Sequence, residues 1–456
     1  MARTDADMTQ GTIWRHLVSF AVPMMIGMLF QQFYNTVDMI VVGQFVSEEA
    51  LAAVGSTGSI TNMLVSLCNG LSMGASVVIS QAYGAKDFKR LHTAVHTTVA
   101  VTFVLCVIST ILGLVIAKPM LVAMDTPENV MPEAYSYLSI YFSGISGLLI
   151  YNMGSGILRA VGDSRRPQYF LICSALMNIV LDLLFVLAFG MGVEGVALAT
   201  LISQGVSAVL ILLTLTHEKG HYGLRWKELH INMPELKVIL GIGMPSGIQQ
   251  GITSFSNVFV QGYINAFGSA AMAGWSSYNK LDAILFVPAM CIANASTTFV
   301  GQNWGAKKPE RARAGVKQSL GMALGITVIM SIIMEIFAPQ FMLLFSSEPE
   351  VIDYGVRFLR IITPFYVGTC FNQVFGGALR GIGNARAPMI IFLWSFVAFR
   401  QLYLFVSTSL GGGFVAVALA YPMGWLMSSA LLTIVYLRSK LFKPEAEIQR
   451  KNKALS

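Results

Sequence analysis

The chain carries the same signals twice, about 221 residues apart. Leu158-Arg159-Ala160-Val161-Gly162, closing on Pro167, returns as Leu379-Arg380-Gly381-Ile382-Gly383, closing on Pro388. Gln81-Ala82-Tyr83-Gly84-Ala85-Lys86 returns as Gln302-Asn303-Trp304-Gly305-Ala306-Lys307. The offset of 221 holds again for Gly192 with Val196-Ala197-Leu198-Ala199 against Gly413 with Val417-Ala418-Leu419-Ala420, and it is 222 for Pro23 and Pro245. A one-residue indel therefore lies between them. This is one ancestral unit, duplicated, and the two halves must share a fold.

Each half is made of apolar stretches. With 55% hydrophobic and 12% charged residues over 456, the chain has too few charges to solvate a soluble protein. Stretches long enough to cross ~30 Å of hydrocarbon as helices fall near 15–40, 52–79, 92–117, 134–157, 168–189 and 194–215. Six more follow near 237–263, 273–300, 315–338, 355–378, 388–410 and 414–437. Hydrocarbon cannot solvate unpaired backbone groups, which excludes open sheets. The expected fold is an all-α integral membrane protein of twelve transmembrane helices. Six spans is an even number, so the second copy enters the membrane as the first does, giving two parallel six-helix repeats. Parallel repeats are a recurring transporter plan, with two lobes around a central cavity and alternating access between them. The expected boundaries are 1–215 for the N-terminal lobe, 216–236 for a linker, 237–437 for the C-terminal lobe and 438–456 for a tail.

Cytoplasmic loops near membrane helices carry an excess of Lys and Arg. Both termini and the even-to-odd loops together hold 25 of the 30 Lys and Arg, whereas Lys118 alone falls in an opposite loop. The other four, Lys280, Arg357, Arg360 and Arg400, lie in or beside spans. Glu48, Glu49, Asp125, Glu128, Glu348, Glu350 and Asp353 mark the far side. Both termini are thus expected in the cytoplasm, and the net charge of +7 is a topology signal rather than a nucleic-acid footprint. The linker is polar and contains His217, His221 and His230, which no metal-ligand spacing accompanies, so they read as solvated.

A charge at mid-bilayer costs on the order of 3 kcal/mol or more and needs a reason. Asp38 lies two-thirds along the first span and Asp182 within the fifth. Asn178 precedes Asp182 by four residues, so an amide oxygen and a carboxylate share one helix face. Thr200 in the sixth span adds a hydroxyl. Oxygen ligands replace the hydration water of a hard cation, which suits Na⁺. Burial and a like-charged neighbour favour the protonated form of a carboxyl group, which suits H⁺ equally. Each of Asn178 and Thr200 alone also fits plain interhelical hydrogen bonding. The duplication offers an internal control: the positions paired with Asp38, Asn178, Asp182 and Thr200 are Val260, Phe399, Tyr403 and Tyr421. The cation site therefore belongs to the first half.

The second half is polar but uncharged on its seventh and tenth spans, at Gln249, Gln250, Asn257, Asn372 and Gln373. Those residues, excepting Gln249, join Gln31, Tyr34, Asn35, Asn152 and Met153 as the expected substrate cavity. Arg400 lies in the eleventh span with no acidic partner evident in its half, open to a cross-bundle pair, backbone carbonyls or an anionic substrate. Glu335 sits near the outer end of the ninth span. The five cysteines fall at irregular spacings in spans, which argues against disulfides, and Pro288, Pro364 and Pro422 read as kinks.

In these features the sequence resembles the multidrug and toxic compound extrusion (MATE) transporters over essentially its whole length. The resemblance rests on the prolines of spans one and seven, Asp38 followed by Val41-Val42-Gly43, and Ala50-Leu51-Ala52-Ala53-Val54-Gly55. The Gln81 and Gln302 loops and Arg159 and Arg380 complete it. The sequence looks closest to the prokaryotic DinF-like branch, in which a cation site falls on residues matching Asp38, Asn178, Asp182 and Thr200. The acidic residues that the NorM-like branch uses in spans seven and ten are missing here.

The resemblance implies export of organic cations and amphipathic drugs by antiport with Na⁺ or H⁺, with no other cofactor, from a bacterial plasma membrane. The expected partners are the transported small molecules and membrane lipids, without nucleic acid, and the expected state is a monomer. Cation binding is expected to bend or repack the first span at Pro23 or Gly27. A flippase for lipid-linked precursors is the second reading, although it calls for several cationic side chains facing a cavity. No nucleophile, metal set or acid–base pair points to an enzyme, and no cleavable signal peptide is evident, since the first apolar stretch continues as a full span.

Overall fold

A computed structural model describes residues 7–124 and 126–442. The expected tail beyond residue 442, Arg3, Asp125 and the side chains of Glu48 and Glu49 lie outside the described residues. In the first repeat the helices are α1 (Ile13–Phe45), α2 (Glu48–Gly84), α3 (Phe88–Ala123), α4 (Met131–Ala160), α5 (Arg165–Leu183) and α6 (Val193–His217). After a short 3₁₀ turn at Trp226–Glu228 come α7 (Met233–Asn265), α8 (Ser269–Gly305), α9 (Pro309–Ile336) and the brief α10 (Ala338–Leu343). The last three spans are each built in pieces: α11 (Pro349–Ile362) with α12 (Tyr366–Gly381), α13 (Arg386–Phe392) with α14 (Arg400–Ser409), and α15 (Phe414–Ala418) with α16 (Ala420–Leu437).

All twelve expected segments are helical among the described residues, and nine spans are long and apolar enough to cross a membrane. The breaks have chemical causes. Pro364 sits in the 3₁₀ turn Thr363–Phe365 between α11 and α12, and Pro422 follows the break at Leu419, because proline lacks an amide hydrogen and crowds the preceding turn. Two π-helical stretches, Leu184–Ala188 and Leu393–Phe399, widen the fifth and eleventh spans.

The repeated motifs turn out to be backbone turns. Left-handed φ values recur at matched positions: Lys86 (55°) with Lys307 (57°), Gly162 (92°) with Gly383 (88°), and Gly190 (65°) with Gly411 (81°). Gly162 and Gly383 end α4 and α12, where a side chain would be strained by ~1–2 kcal/mol. Lys86 and Lys307 bear that strain in both halves.

Contacts divide the chain into two compact units, one of Pro23–Gly247 and the other of Asp7–Val22 with Ile248 onward. The divisions fall inside α1 and α7, at Pro23 and just past Pro245, rather than in the linker. The linker itself packs within the first unit. There the Arg225 amide donates to His96 Nε2 at 3.0 Å, the Asn232 amide donates to Thr97 Oγ1 at 3.1 Å, and Arg90 pairs with Glu235 at 2.8 Å. In the second unit, Met8 is buried and its amide donates to Gln302 Oε1 at 2.9 Å, while Asn303 Nδ2 donates to the Met8 carbonyl at 3.2 Å. Arg311 donates to the Met8, Gln10 and Gly11 carbonyls at 3.2, 2.7 and 2.8 Å, and Lys308 Nζ to that of Thr9 at 3.0 Å. The repeated loop after α8 is thus a socket for the segment that leads into α1.

Small residues let backbones meet inside each unit. A Cβ on Gly70 of α2 would lie 2.2 Å from the Gly247 amide, and one on Gly74 would lie 2.4 Å from the Ile239 carbonyl. In the second unit, Gly377 approaches Ala293 and Thr297 in the same way. Such contacts bind helices where lipid supplies no hydrophobic drive. Outward, Val107, Ile111 and Val115 of α3 are each about 60% exposed or more and form one stripe, a surface suited to acyl chains.

Relieving or adding strain at the matched turns tests this account. Lys307→Gly should stabilise the detergent-solubilised protein by up to ~1 kcal/mol and Gly383→Ala should destabilise it by at least ~1 kcal/mol, read as opposite shifts in Tm. Shifts of the same sign would refute the left-handed assignment.

Candidate functional site

The first unit concentrates its polar chemistry where α1, α4, α5 and α6 contribute. Asp38 follows Tyr34 by one turn on α1, and Asn178 and Asp182 stand one turn apart on α5, both buried. Thr200 comes from the second turn of α6, which Ser174 of α5 fastens by donating from Oγ to the Ser203 carbonyl at 2.7 Å. Asn178 Nδ2 donates to Thr200 Oγ1 at 3.4 Å, and the Asp38 and Asp182 carboxyl groups interact electrostatically with each other. The four residues picked from sequence therefore form one cluster. A dry wall of Val41, Val42, Val186, Val193, Val196 and Ala197 lies beside it, in a core that includes Tyr137.

Oxygens dominate this cluster, and several have no donor. Asp38 Oδ1, Asn178 Oδ1 and both carboxylate oxygens of Asp182 are buried without a hydrogen-bond partner. A buried acceptor left unpaired costs ~1–3 kcal/mol, more when charged. Two carboxylates side by side add mutual repulsion. With Thr200 Oγ1, these atoms are a hard-oxygen donor set, the chemistry that suits a desolvated monovalent cation or a shared proton. Tyr34 and Tyr137 lie in electrostatic reach of both carboxylates. Tyr137 was not legible from sequence, because on α4 it sits between Tyr135 and Tyr141 and nothing in the sequence separates it from them.

The residues expected in the substrate cavity scatter more. In the first unit, Gln31 and Tyr34 are half-buried, Asn35 is exposed, Asn152 donates to the Leu148 carbonyl at 2.9 Å, and Met153 is buried beside a small apolar cavity lined by Leu71, Val101 and Leu105. In the second unit, Gln250 and Asn257 are exposed and Gln373 half-buried. Asn372 is buried, its Oδ1 accepting from Ser428 and Ser429 at 2.9 and 3.2 Å and its Nδ2 donating to the Trp425 carbonyl at 3.3 Å.

At the matched positions the second unit is filled instead. Val260 and Tyr421 belong to an aromatic core with Trp275, Tyr278, Phe358 and Tyr366, and Tyr403 packs against it. Arg400, only 1% exposed, is held by neutral groups: Ser256 Oγ, Asn257 Oδ1 at 3.0 Å, and the faces of Phe396 and Tyr421 at 5.4 and 5.0 Å. Its Nε has no partner. Asp282 of α8, which sequence reasoning passed over, accepts from Tyr278 Oη at 3.2 Å, and Tyr278 also meets Tyr366 Oη at 3.2 Å. The signal that would have found it is the four-residue spacing of Tyr278 and Asp282. Glu335 is half-buried near the end of α9, with Oε1 unpartnered.

The MatE family model matches the chain twice, over residues 23–184 and 245–406. Among curated proteins, the chain is 28% identical over 436 residues to the "Probable multidrug resistance protein YpnP" of Bacillus subtilis, covering 94% of this chain and 96% of that one. It is 24% identical over 441 residues to the "FAD transporter" of Shewanella oneidensis, covering 95% and 96%. A solved MOP superfamily transporter from Pyrococcus furiosus, described as having a binding pocket of reverse polarity, superposes with a TM-score of 0.90 at 25% identity over 96% of this chain and 98% of its own. A multidrug resistance MATE family transporter in an outward-facing conformation gives 0.89 at 25% identity over 95% and 97%.

The unpaired oxygens make a measurable prediction. Adding Na⁺ or protons to cation-poor detergent solution should raise Tm, with ~2.7 kcal/mol of stabilisation at a hundredfold excess over Kd. Asp182→Asn should start more stable than the parent under cation-poor conditions and lose that response. A variant that responds as the parent does would show that the cation acts elsewhere.

Proposed function

The chain belongs to the MatE family of multidrug efflux transporters, and from that premise we propose that it exports organic cations and amphipathic drugs in exchange for Na⁺ or H⁺. The observation that carries the exchange is the set of buried, donorless oxygens of Asp38, Asn178 and Asp182 in the first unit. A secondary carrier needs a site that the driving ion stabilises, and oxygens without donors are what such an ion would satisfy. Supporting the drug side is the relationship to proteins named for multidrug resistance. The bias of Lys and Arg supports placement in a bacterial plasma membrane with both termini cytoplasmic, and we take the working unit to be a monomer.

Coupling runs through α1. Asp38 stands on the same helix as Pro23 and Gly27, and Gly27 packs closely on α5, since a Cβ there would fall 1.8 Å from Gln168 Oε1 and displace that side chain. Drawing Asp38 toward Asp182 around a cation repacks α1 on α5, with the proline as the weak point of the helix. Exchange of one cationic drug for one Na⁺ or H⁺ moves no net charge, whereas two ions per drug also draw on the membrane potential, ~2.3 kcal/mol per charge at 100 mV. The two carboxylates allow the second case. Precursor flipping is not favoured: Arg400 is enclosed by Ser256, Asn257 and two rings rather than joined to other cations.

Proteoliposomes loaded with a fluorescent organic cation decide the matter. Efflux should follow an imposed Na⁺ gradient or an imposed H⁺ gradient in the parent and fall at least ~10-fold in both Asp38→Asn and Asp182→Asn, with the responsive gradient naming the ion. Undiminished gradient-driven efflux in both variants would overturn the coupling site.

A further inference from the structure

Five of the six histidines of this chain, His92, His96, His217, His221 and His230, lie at the start of α3 or in the linker. His92 and His96 are four residues apart, which puts both rings on one face of α3, and the rings stack with centroids 3.8 Å apart. The 3₁₀ turn Trp226–Glu228 brings a carboxylate to the same place, with Glu228 Oε2 3.0 Å from His92 Nε2. One ligand atom from each of the three residues lies within 4.8 Å of the others.

The hydrogen bonds around this trio orient its ligands. His96 is fully buried; its Nε2 accepts the Arg225 amide at 3.0 Å, so its proton sits on Nδ1, which donates to the His92 carbonyl at 2.8 Å. A neutral ring with a lone pair on Nε2, oriented by a backbone carbonyl at Nδ1, is the form in which imidazole binds metal. Arg225 Nη1 donates to Glu228 Oε1 at 3.3 Å, leaving Oε2 turned to the histidines. The other charged groups beside the site are paired, as Arg90 is with Glu235, or exposed.

We propose that His92, His96 and Glu228 form a site for a divalent transition metal ion of the Zn²⁺ type, with water in the fourth position. Tetrahedral coordination at ~2.0–2.1 Å sets ligand atoms ~3.3 Å apart, so binding turns the stacked rings until their in-plane lone pairs converge, displaces the proton between His92 Nε2 and Glu228 to solvent, and takes His96 Nε2 from the Arg225 amide. The chemistry is distinct from that of the Asp38 cluster: two imidazoles and one carboxylate select a borderline ion over Na⁺ or Mg²⁺. The ion would cross-link the linker to α3, immobilising the chain that leads into the first turns of α7, which pack against α2 through Gly70 and Gly74.

Zn²⁺ titration of the purified full-length protein by calorimetry, with Mg²⁺ as control, tests this. The parent should bind one equivalent, and His92→Ala and Glu228→Gln should each weaken binding more than ~10-fold. His217→Ala, outside the trio, should bind as the parent does. His92 and Glu228 are incompletely buried, so their variants should fold, and an unchanged Tm without metal checks it. Zn²⁺ binding equal in parent, His92→Ala and Glu228→Gln, or lost instead in His217→Ala, would overturn the site.

Discussion

Hydrocarbon offers a backbone amide nothing to bond to, and almost every feature of this protein follows from that. The chain answers with helices, and within them it hides small polar side chains on their own backbone. Thr98 and Thr102 donate to carbonyls four residues back, as do Ser246 and Thr297. Once those groups are satisfied, the remaining ones stand out. The carboxylates of the first unit and Arg400 of the second are polar atoms for which the fold supplies fewer partners than the chemistry asks. Among the charged groups so left, the Asp38–Asp182 pair is the one in which two carboxyl groups and an amide oxygen share the deficit.

Duplication shows which constraints belong to the fold and which to the site. Turn geometry is common to both halves: a left-handed lysine before α3 and α9, and a left-handed glycine after α4 and α12. Each unit also docks a distant segment near the start of α3 or α9, but through residues that the repeat does not match. In one unit histidine and threonine side chains receive linker amides, and in the other arginine and lysine gather carbonyls. Side chains of the Asp38–Asp182 cluster are not shared, because the second unit has packed its matched positions with Val260, Tyr403 and Tyr421 around a buried tryptophan. One half keeps an oxygen cluster, and the other keeps a stiff aromatic core.

The spans and their parallel repeat were legible because hydropathy over twenty residues is a strong local signal. The Asn178–Asp182 pair was legible for the same reason: helix periodicity fixes which residues share a face. What sequence left hidden depends on meetings between distant segments. Nothing around Met8 announces that its carbonyl is gathered by Asn303 and Arg311, since partners about 300 residues apart leave no periodicity. His92 and His96 have helical spacing, but Glu228 reaches them only because the linker folds back onto α3. Asp282 lies two residues from Lys280, so its charge reads as part of a polar patch until Tyr278 is seen to hold it.

The exchanged opening segments have a consequence for how the protein is made. Residues 7–22 are synthesised well before Ile248, yet they pack with a unit whose other members begin there. The buried amide of Met8 must wait for Gln302, 294 positions later. The first unit likewise stays incomplete until the segment ending at Gly247 has been synthesised. Neither unit can close as a domain during its own half of synthesis, so the usual order of N-terminal domain first is unavailable to this chain. A single helix, α1, is thus shared between two units, its opening turns waiting on residues of the distant half.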